Sequence, residues 1–213
     1  ETRNGVTGLA PEHIGYENGV LGGVVATLNS FVAPGDKVLL HSPTYIGFTK
    51  SLENNGLSIV HSPLKIDEDG VWRMDFEDME AKLAQNDIHA AVFCSPHNPC
   101  GRAWTQEELA GVVNLCYKYG VPLVCDEIHA DFVFAPNAHH SVLTMEHADE
   151  LAVMLCAASK TFNVAGLQQA SLVCKNEKMR EAIAKEFTSC GVTSGNVFAL
   201  AATRAAYTGC DAW

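Results

Sequence analysis

The sequence predicts a three-layer α/β/α fold on a mainly parallel β-sheet, and three observations predict it. Short apolar runs alternate with longer segments of helical period, the pattern of a sheet covered by helices on both faces. The 213 residues are 47% apolar and 18% charged, an ordinary composition for one sizeable packed core. No internal repeat, low-complexity tract or linker divides the chain.

Taken in order, the chain starts without a clear first element, and a helix is expected over Val20 to Phe31. Lys37 to His41 and Leu57 to His61 are short apolar runs that read as strands. Helices are expected between them at Thr44 to Asn54 and after them at Phe76 to Gln85. His89 to Ser95 reads as the next strand. Thr105 followed by Glu108 then forms a capping box that opens a helix to about Tyr119, with Leu109, Val112, Val113 and Cys116 on one face and Gly120 to stop it. Val121 to Asp126, Leu151 to Ala157 and Ala170 to Cys174 read as three further strands, and Glu177 to Thr188 and Gly195 to Tyr207 as the closing helices. The chain ends just after a helix and looks like an excised piece.

Charge and composition exclude several classes. Lys and Arg total 14 against 25 Asp and Glu, and a net charge of -11 without a basic cluster repels a phosphate backbone, so no nucleic-acid partner is expected. The longest apolar stretch, Leu151 to Ala158, falls short of the roughly 20 residues a membrane helix needs, and no secretion signal is visible. Cys94, Cys125, Cys156 and Cys174 lie in apolar runs that read as buried strands, and there is no C-x-x-C pair. The eight cysteines therefore read as reduced thiols of a cytoplasmic protein. The nine histidines show no H-E-x-x-H, so no metal site is expected.

In an open α/β sheet, ligands bind beyond the carboxyl ends of the strands, so residues where strands give way to loops are the informative ones. SPHNPCGR (95–102) follows one strand, with Pro96 and Pro99 fixing the backbone around Asn98. DEIHAD (126–131) puts Asp126 at the end of the next, among mostly apolar neighbours, where a carboxylate needs a cationic partner. ASKTFN (158–163) puts Lys160 and Ser159 at the mouth of a third, where a lysine amine can act as a nucleophile. Each has an ordinary explanation alone: turn residue, helix cap or solvated charge. Together they supply what one cofactor, pyridoxal phosphate (PLP), requires: an amine to bond covalently, an acid to keep its pyridine nitrogen protonated and a donor to its ring oxygen. Tyr45 in SPTYIGF (42–48) offers a ring to stack on it. ENGVLGGVVATL (17–28) offers a helix start for its phosphate, with Gly19 allowing close approach, the N–H groups of Val20 and Leu21 pointing at the anion and the Ser159 hydroxyl opposite. The glycines do not form G-x-G-x-x-G, which argues against a nicotinamide dinucleotide.

These segments resemble the fold-type I PLP enzymes of the class I/II aminotransferase superfamily, over nearly the whole chain. SPHNPCGR is similar to the superfamily's N-P-x-G signature. DEIHAD and SKTFNVAGL resemble the D-E-I-H-x-D and S-K-T-F-N-I-A-G-L segments of the cystathionine β-lyase or C-S lyase subgroup. Where many aminotransferases have Tyr three residues after the Asp, this chain has His129, which points to the lyase subgroup. The resemblance implies a PLP-dependent transferase-like large domain, here spanning 1–213 without the N-terminal arm and C-terminal small domain. It implies Lys160 as the Schiff-base lysine, Asp126 as the pyridine partner, Asn98 as ligand of the ring oxygen, Tyr45 as the stacking ring and His129 beside that oxygen or Asp126. Two features depart from the pattern. Gln168 and Gln169 stand where many aminotransferases place an arginine for the phosphate, and Arg102, Arg180 and Arg204 lie outside the substrate-arginine motif and read as surface charges.

The activity so implied is β-elimination from cystathionine or another cysteine S-conjugate, giving a thiol, pyruvate and ammonia, by an enzyme that works as a homodimer on a small amino-acid substrate. Two rivals share the core residues: a class I/II aminotransferase, and a non-catalytic PLP-binding sensor domain of a transcription regulator.

Overall fold

The computed structural model describes residues 3–85, 87–192 and 194–213. In chain order the elements are β1 (Ile14–Glu17), α1 (Val20–Asn29), β2 (Lys37–Ser42), α2 (Ile46–Asn54), β3 (Ser58–Pro63), β4 (Lys65–Ile66), β5 (Trp72–Arg73), α3 (Phe76–Leu83), β6 (Ile88–Cys94), α4 (Gln106–Tyr119), β7 (Leu123–Asp126), α5 (Ala148–Leu151), β8 (Ala152–Cys156), β9 (Ala170–Val173), α6 (Glu177–Ser189) and α7 (Val197–Gly209). Among the described residues seven strands form one sheet in the order β1-β9-β8-β7-β6-β2-β3, and β4 pairs with β5 separately.

Strands β3, β2, β6, β7 and β8 are parallel. β9 runs antiparallel to β8, and β1 antiparallel to β9, so β1 points the same way as the parallel set. The carboxyl ends of β1, β8, β7, β6 and β2 therefore share one edge of the sheet with the amino end of β9. This edge is where the site forms.

Two apolar layers enclose the sheet, because its strands are apolar on both faces. On one face Val20, Val24 and Leu28 of α1, Phe48 and Leu52 of α2 and Met179 and Ile183 of α6 pack against Val38, Leu40, Val92, Val124 and Leu155. On the other, Met79 and Leu83 of α3 and Leu109, Val112, Val113 and Cys116 of α4 pack against Leu39, Phe93, Leu123 and Cys125. The expected α/β/α layering is the observed one.

Local chemistry sets the element ends. Thr105 Oγ1 accepts from the Glu108 N–H at 3.2 Å and Glu108 Oε2 accepts from the Thr105 N–H at 2.9 Å, the expected capping box. Gly120 closes α4 at φ 65°, a left-handed conformation that glycine adopts without strain. α7 starts later than expected, because Asn196 caps it by accepting from the N–H groups of Phe198 and Ala199. α2 likewise starts at Ile46, with Tyr45 extended at its N-cap.

Three expectations need correction. The chain has a first strand: β1 is only four residues long, with mixed exposure, and it forms through pairing with β9. Cys156 is half-buried instead of buried, while Cys94, Cys125 and Cys174 are buried as expected and all eight cysteines are free. Arg102 and Arg180 are not simple surface charges. Arg102 donates to both carboxylate oxygens of Glu108, at 2.6 and 2.8 Å, and lies 4.9 Å over the Trp104 ring. Arg180 donates to the carbonyls of Cys174 and Lys175. Arg204 is exposed.

Candidate active site

A cavity of about 250 Å³ opens at the carboxyl edge of the sheet. The strand order explains what meets there, since β8, β7, β6 and β2 are consecutive neighbours. The turn after β8 carries Ser159 and Lys160, β7 ends on Asp126, the turn after β6 carries Asn98, and the segment after β2 carries Tyr45; all five line the cavity. Val20 and Leu21, the first residues of α1, line it too, as does His129. The structure thus brings together every residue singled out from the sequence for this site.

Asp126 is 5% exposed, and its Oδ1 accepts the Ile128 N–H at 2.9 Å. Burial pushes its carboxyl up to about 7; the Glu127 charge adds to the rise, while the Ile128 hydrogen bond and the Lys160 charge oppose it. Among the described residues none forms an ion pair with it, and the Lys160 charge reaches it without one. A buried carboxylate at the floor of a cavity suits a cationic N–H brought by a ligand.

Asn98 sits in a turn closed by the His97 N–H to the Arg102 carbonyl at 2.7 Å and the Gly101 N–H to the His97 carbonyl at 2.8 Å. His97 of that turn and His41 of β2 are buried, His97 edge-on to Trp104; burial lowers both to about 4, so both are neutral at neutral pH. His129 is half-buried, and burial and then the Lys160 charge lower its pKa.

The Tyr45 ring packs edge-on to Phe48 at 5.5 Å. Gly47 makes room for it: a Cβ there would lie 2.3 Å from the Tyr45 ring. At the start of α1, Gly19 has φ 76° and ψ 159°, a conformation open only to glycine, and a Cβ would lie 3.0 Å from Gln168 Oε1. Gln168, at φ 50°, faces the same end of the cavity with Gln169. Lys160 is the only lysine or arginine among the described residues that line the cavity.

Sequence reasoning missed Cys94 and Ile128, which also line the cavity, and Gly47, which shapes it. Cys94 was legible only as a buried strand residue. Gly47 stands two residues from Tyr45, and a glycine beside an aromatic was the available signal. Residues that could hold a metal ion do not cluster among the described residues.

Comparison with known proteins supports the same class. The family model for aminotransferase class I and II matches residues 3–207, and the chain belongs to that family. It is 36% identical over 205 residues to the cystathionine beta-lyase PatB of Bacillus subtilis, covering 95% of this chain and 52% of that protein. It is 31% identical to the protein MalY of Escherichia coli, covering 94% of this chain and 51% of that one. Among solved structures, a PLP-bound putative aminotransferase from Clostridium difficile superposes with a TM-score of 0.93 at 32% identity, over 100% of this chain and 54% of that one. A PLP-bound C-S lyase from Staphylococcus hominis superposes with a TM-score of 0.90 at 29% identity, over 100% and 54%. The chain spans about half the length of the curated relatives it matches.

Proposed function

We propose that this chain is the large, cofactor-holding domain of a PLP-dependent C-S β-lyase, which cleaves cystathionine or another cysteine S-conjugate to a thiol, pyruvate and ammonia. The observation that carries the reading is the delivery of Lys160, Asp126, Asn98 and Tyr45 by four neighbouring strands into one cavity. The kinship with PatB and with a PLP-bound C-S lyase supports the choice of reaction.

When bound, PLP supplies an electron sink for negative charge developing on the substrate Cα. The residues present fit it. The Lys160 amine would hold the cofactor and would be the group placed to take the proton from the substrate Cα. Asp126, buried and without an ion-pair partner among the described residues, would keep a proton at the pyridine nitrogen. Asn98 would donate to the ring oxygen and Tyr45 would cover a ring face. The N–H groups of Val20 and Leu21 and the Ser159 hydroxyl would receive the phosphate, with Gln168 where an arginine is usual. His129 lies between Asp126 and Lys160 in sequence and lines the same cavity, where it would face the cofactor ring.

The proposal extends to a small amino-acid substrate, a homodimer and a cytoplasmic setting. Val197, Phe198 and Leu200 of α7 are 70%, 76% and 47% exposed, an apolar face suited to an interface, and the free cysteines suit a reducing compartment. Among the described residues no helix is long and apolar enough to cross a membrane.

The test is an absorption spectrum with added PLP before and after borohydride reduction, on the wild type and Lys160→Ala. A band fixed covalently by reduction and lost in the variant supports the cofactor assignment; an unchanged band in the variant refutes it. Incubation with cystathionine and no keto acid then separates the reactions. Pyruvate release supports the lyase, whereas turnover only with a keto acid supports the aminotransferase reading that the Clostridium difficile neighbour favours.

A further inference from the structure

Glu127 follows Asp126 directly but serves the opposite face of the sheet edge, because successive side chains of an extended strand alternate. Its backbone N–H donates to the Leu155 carbonyl of β8 at 2.8 Å. Its carboxylate is 1% exposed and receives three donors from a stretch more than ten residues away. The Val142 N–H donates to Oε1 at 2.6 Å, the Ser141 hydroxyl to Oε1 at 3.1 Å, and His139 Nε2 lies 3.0 Å from Oε2. Ser141 is fully buried and the His139 side chain is 6% exposed.

This is not a nucleophile with its base, since serine and histidine both address the carboxylate and neither addresses the other. It is a clasp that closes the excursion from 128 to 141. The interior of that excursion has little else to hold it: Phe132 and Phe134 are 46% and 75% exposed, and residues 135–138 are exposed. Its near end carries Ile128 and His129 into the cavity and gives the Ile128 N–H to Asp126. Asp131 accepts from the Thr161 hydroxyl at 2.8 Å, which ties the same segment to the turn bearing Lys160.

We propose that Glu127 is a positioning residue that clasps the 128–141 segment to the sheet and thereby holds one wall of the cavity, with the aim of Asp126, in place for the cofactor. The cofactor's presence in that cavity rests on the function proposed above. The clasp works through hydrogen-bond convergence, not charge. A glutamine can still accept from Val142 and Ser141 and can donate to His139 in its other tautomer.

The test compares Glu127→Ala and Glu127→Gln with wild type by amide hydrogen exchange without PLP and by PLP affinity. In Glu127→Ala, exchange within 128–141 is expected to quicken by roughly tenfold or more while β6, β7 and β8 keep their protection, and PLP to bind about tenfold more weakly. Glu127→Gln restores most of both. Four results overturn the proposal: unchanged exchange in the segment, equal acceleration across the sheet, unchanged PLP affinity despite a loosened segment, or a glutamine variant that behaves like alanine. If the wild type itself takes up no PLP, the proposed function fails, and the exchange measurements alone then decide whether the clasp exists.

Discussion

Replacing Glu17 by glutamine should remove a large part of the pH dependence of stability. Glu17 ends β1, is 1% exposed, and its Oε1 has no hydrogen-bond partner among the described residues. Gly23 of α1 packs closely over it: a Cβ on Gly23 would lie 3.2 Å from Glu17 Cγ and 2.6 Å from Leu155. Burial without a partner pushes its carboxyl up from 4.5 to about 8. Between those two values the folded chain keeps a proton that the unfolded chain has lost. Unfolding releases that proton, so stability falls as pH rises through this window and levels off above it. At roughly 1.4 kcal/mol per pH unit, the window corresponds to at most about 5 kcal/mol. Glutamine has the same shape and no proton to lose. The advantage of Glu17→Gln over wild type should therefore grow steadily from pH 4.5 to 8. Urea unfolding followed by tryptophan fluorescence across that range measures it, and the difference cancels the contributions of Asp126, His41 and His97. A stability difference that stays flat with pH would refute the reasoning and show that Glu17 finds water or a partner.

Three smaller tests address packing and caps. Gly47→Ala should leave the melting temperature nearly unchanged but push the Tyr45 ring out of place, weakening PLP binding by roughly tenfold in a fluorescence titration. Thr105→Ala should cost about 1 kcal/mol in urea unfolding by opening one end of the capping box. Arg102→Ala should cost roughly 1.5–3 kcal/mol, well beyond a surface charge, because it removes two charge-assisted hydrogen bonds to Glu108 and uncovers Trp104; a loss under about 0.5 kcal/mol would return it to the surface class.

The core elements were legible because their signals are local. The apolar runs of β2, β6, β7 and β8 and the Thr105–Glu108 box depend on neighbours within a few residues, and they fall where expected to within one or two positions. The candidate site was legible for a related reason: Asn98, Asp126 and Lys160 each follow a strand, and parallel strands deliver such residues to one edge whatever the loops do. β1 was not legible, since four residues of mixed exposure become a strand only by pairing with β9, far away in sequence. Arg102 was misread because the chain does not announce that Trp72, Trp104 and Glu108 will surround it.

By itself, then, the order of residues determined the layered architecture and the chemical inventory of the cavity, both products of short-range pattern. Only the folded arrangement decided the environments. Asp126 and Glu127 are adjacent carboxylates in the chain, yet one faces the cavity with a single backbone N–H bonded to it and the other faces three donors. Glu17 became a buried acid whose Oε1 has no partner among the described residues. Burial and partner count are sums over residues distant in sequence, and they set proton affinity and aim, which no local pattern encodes.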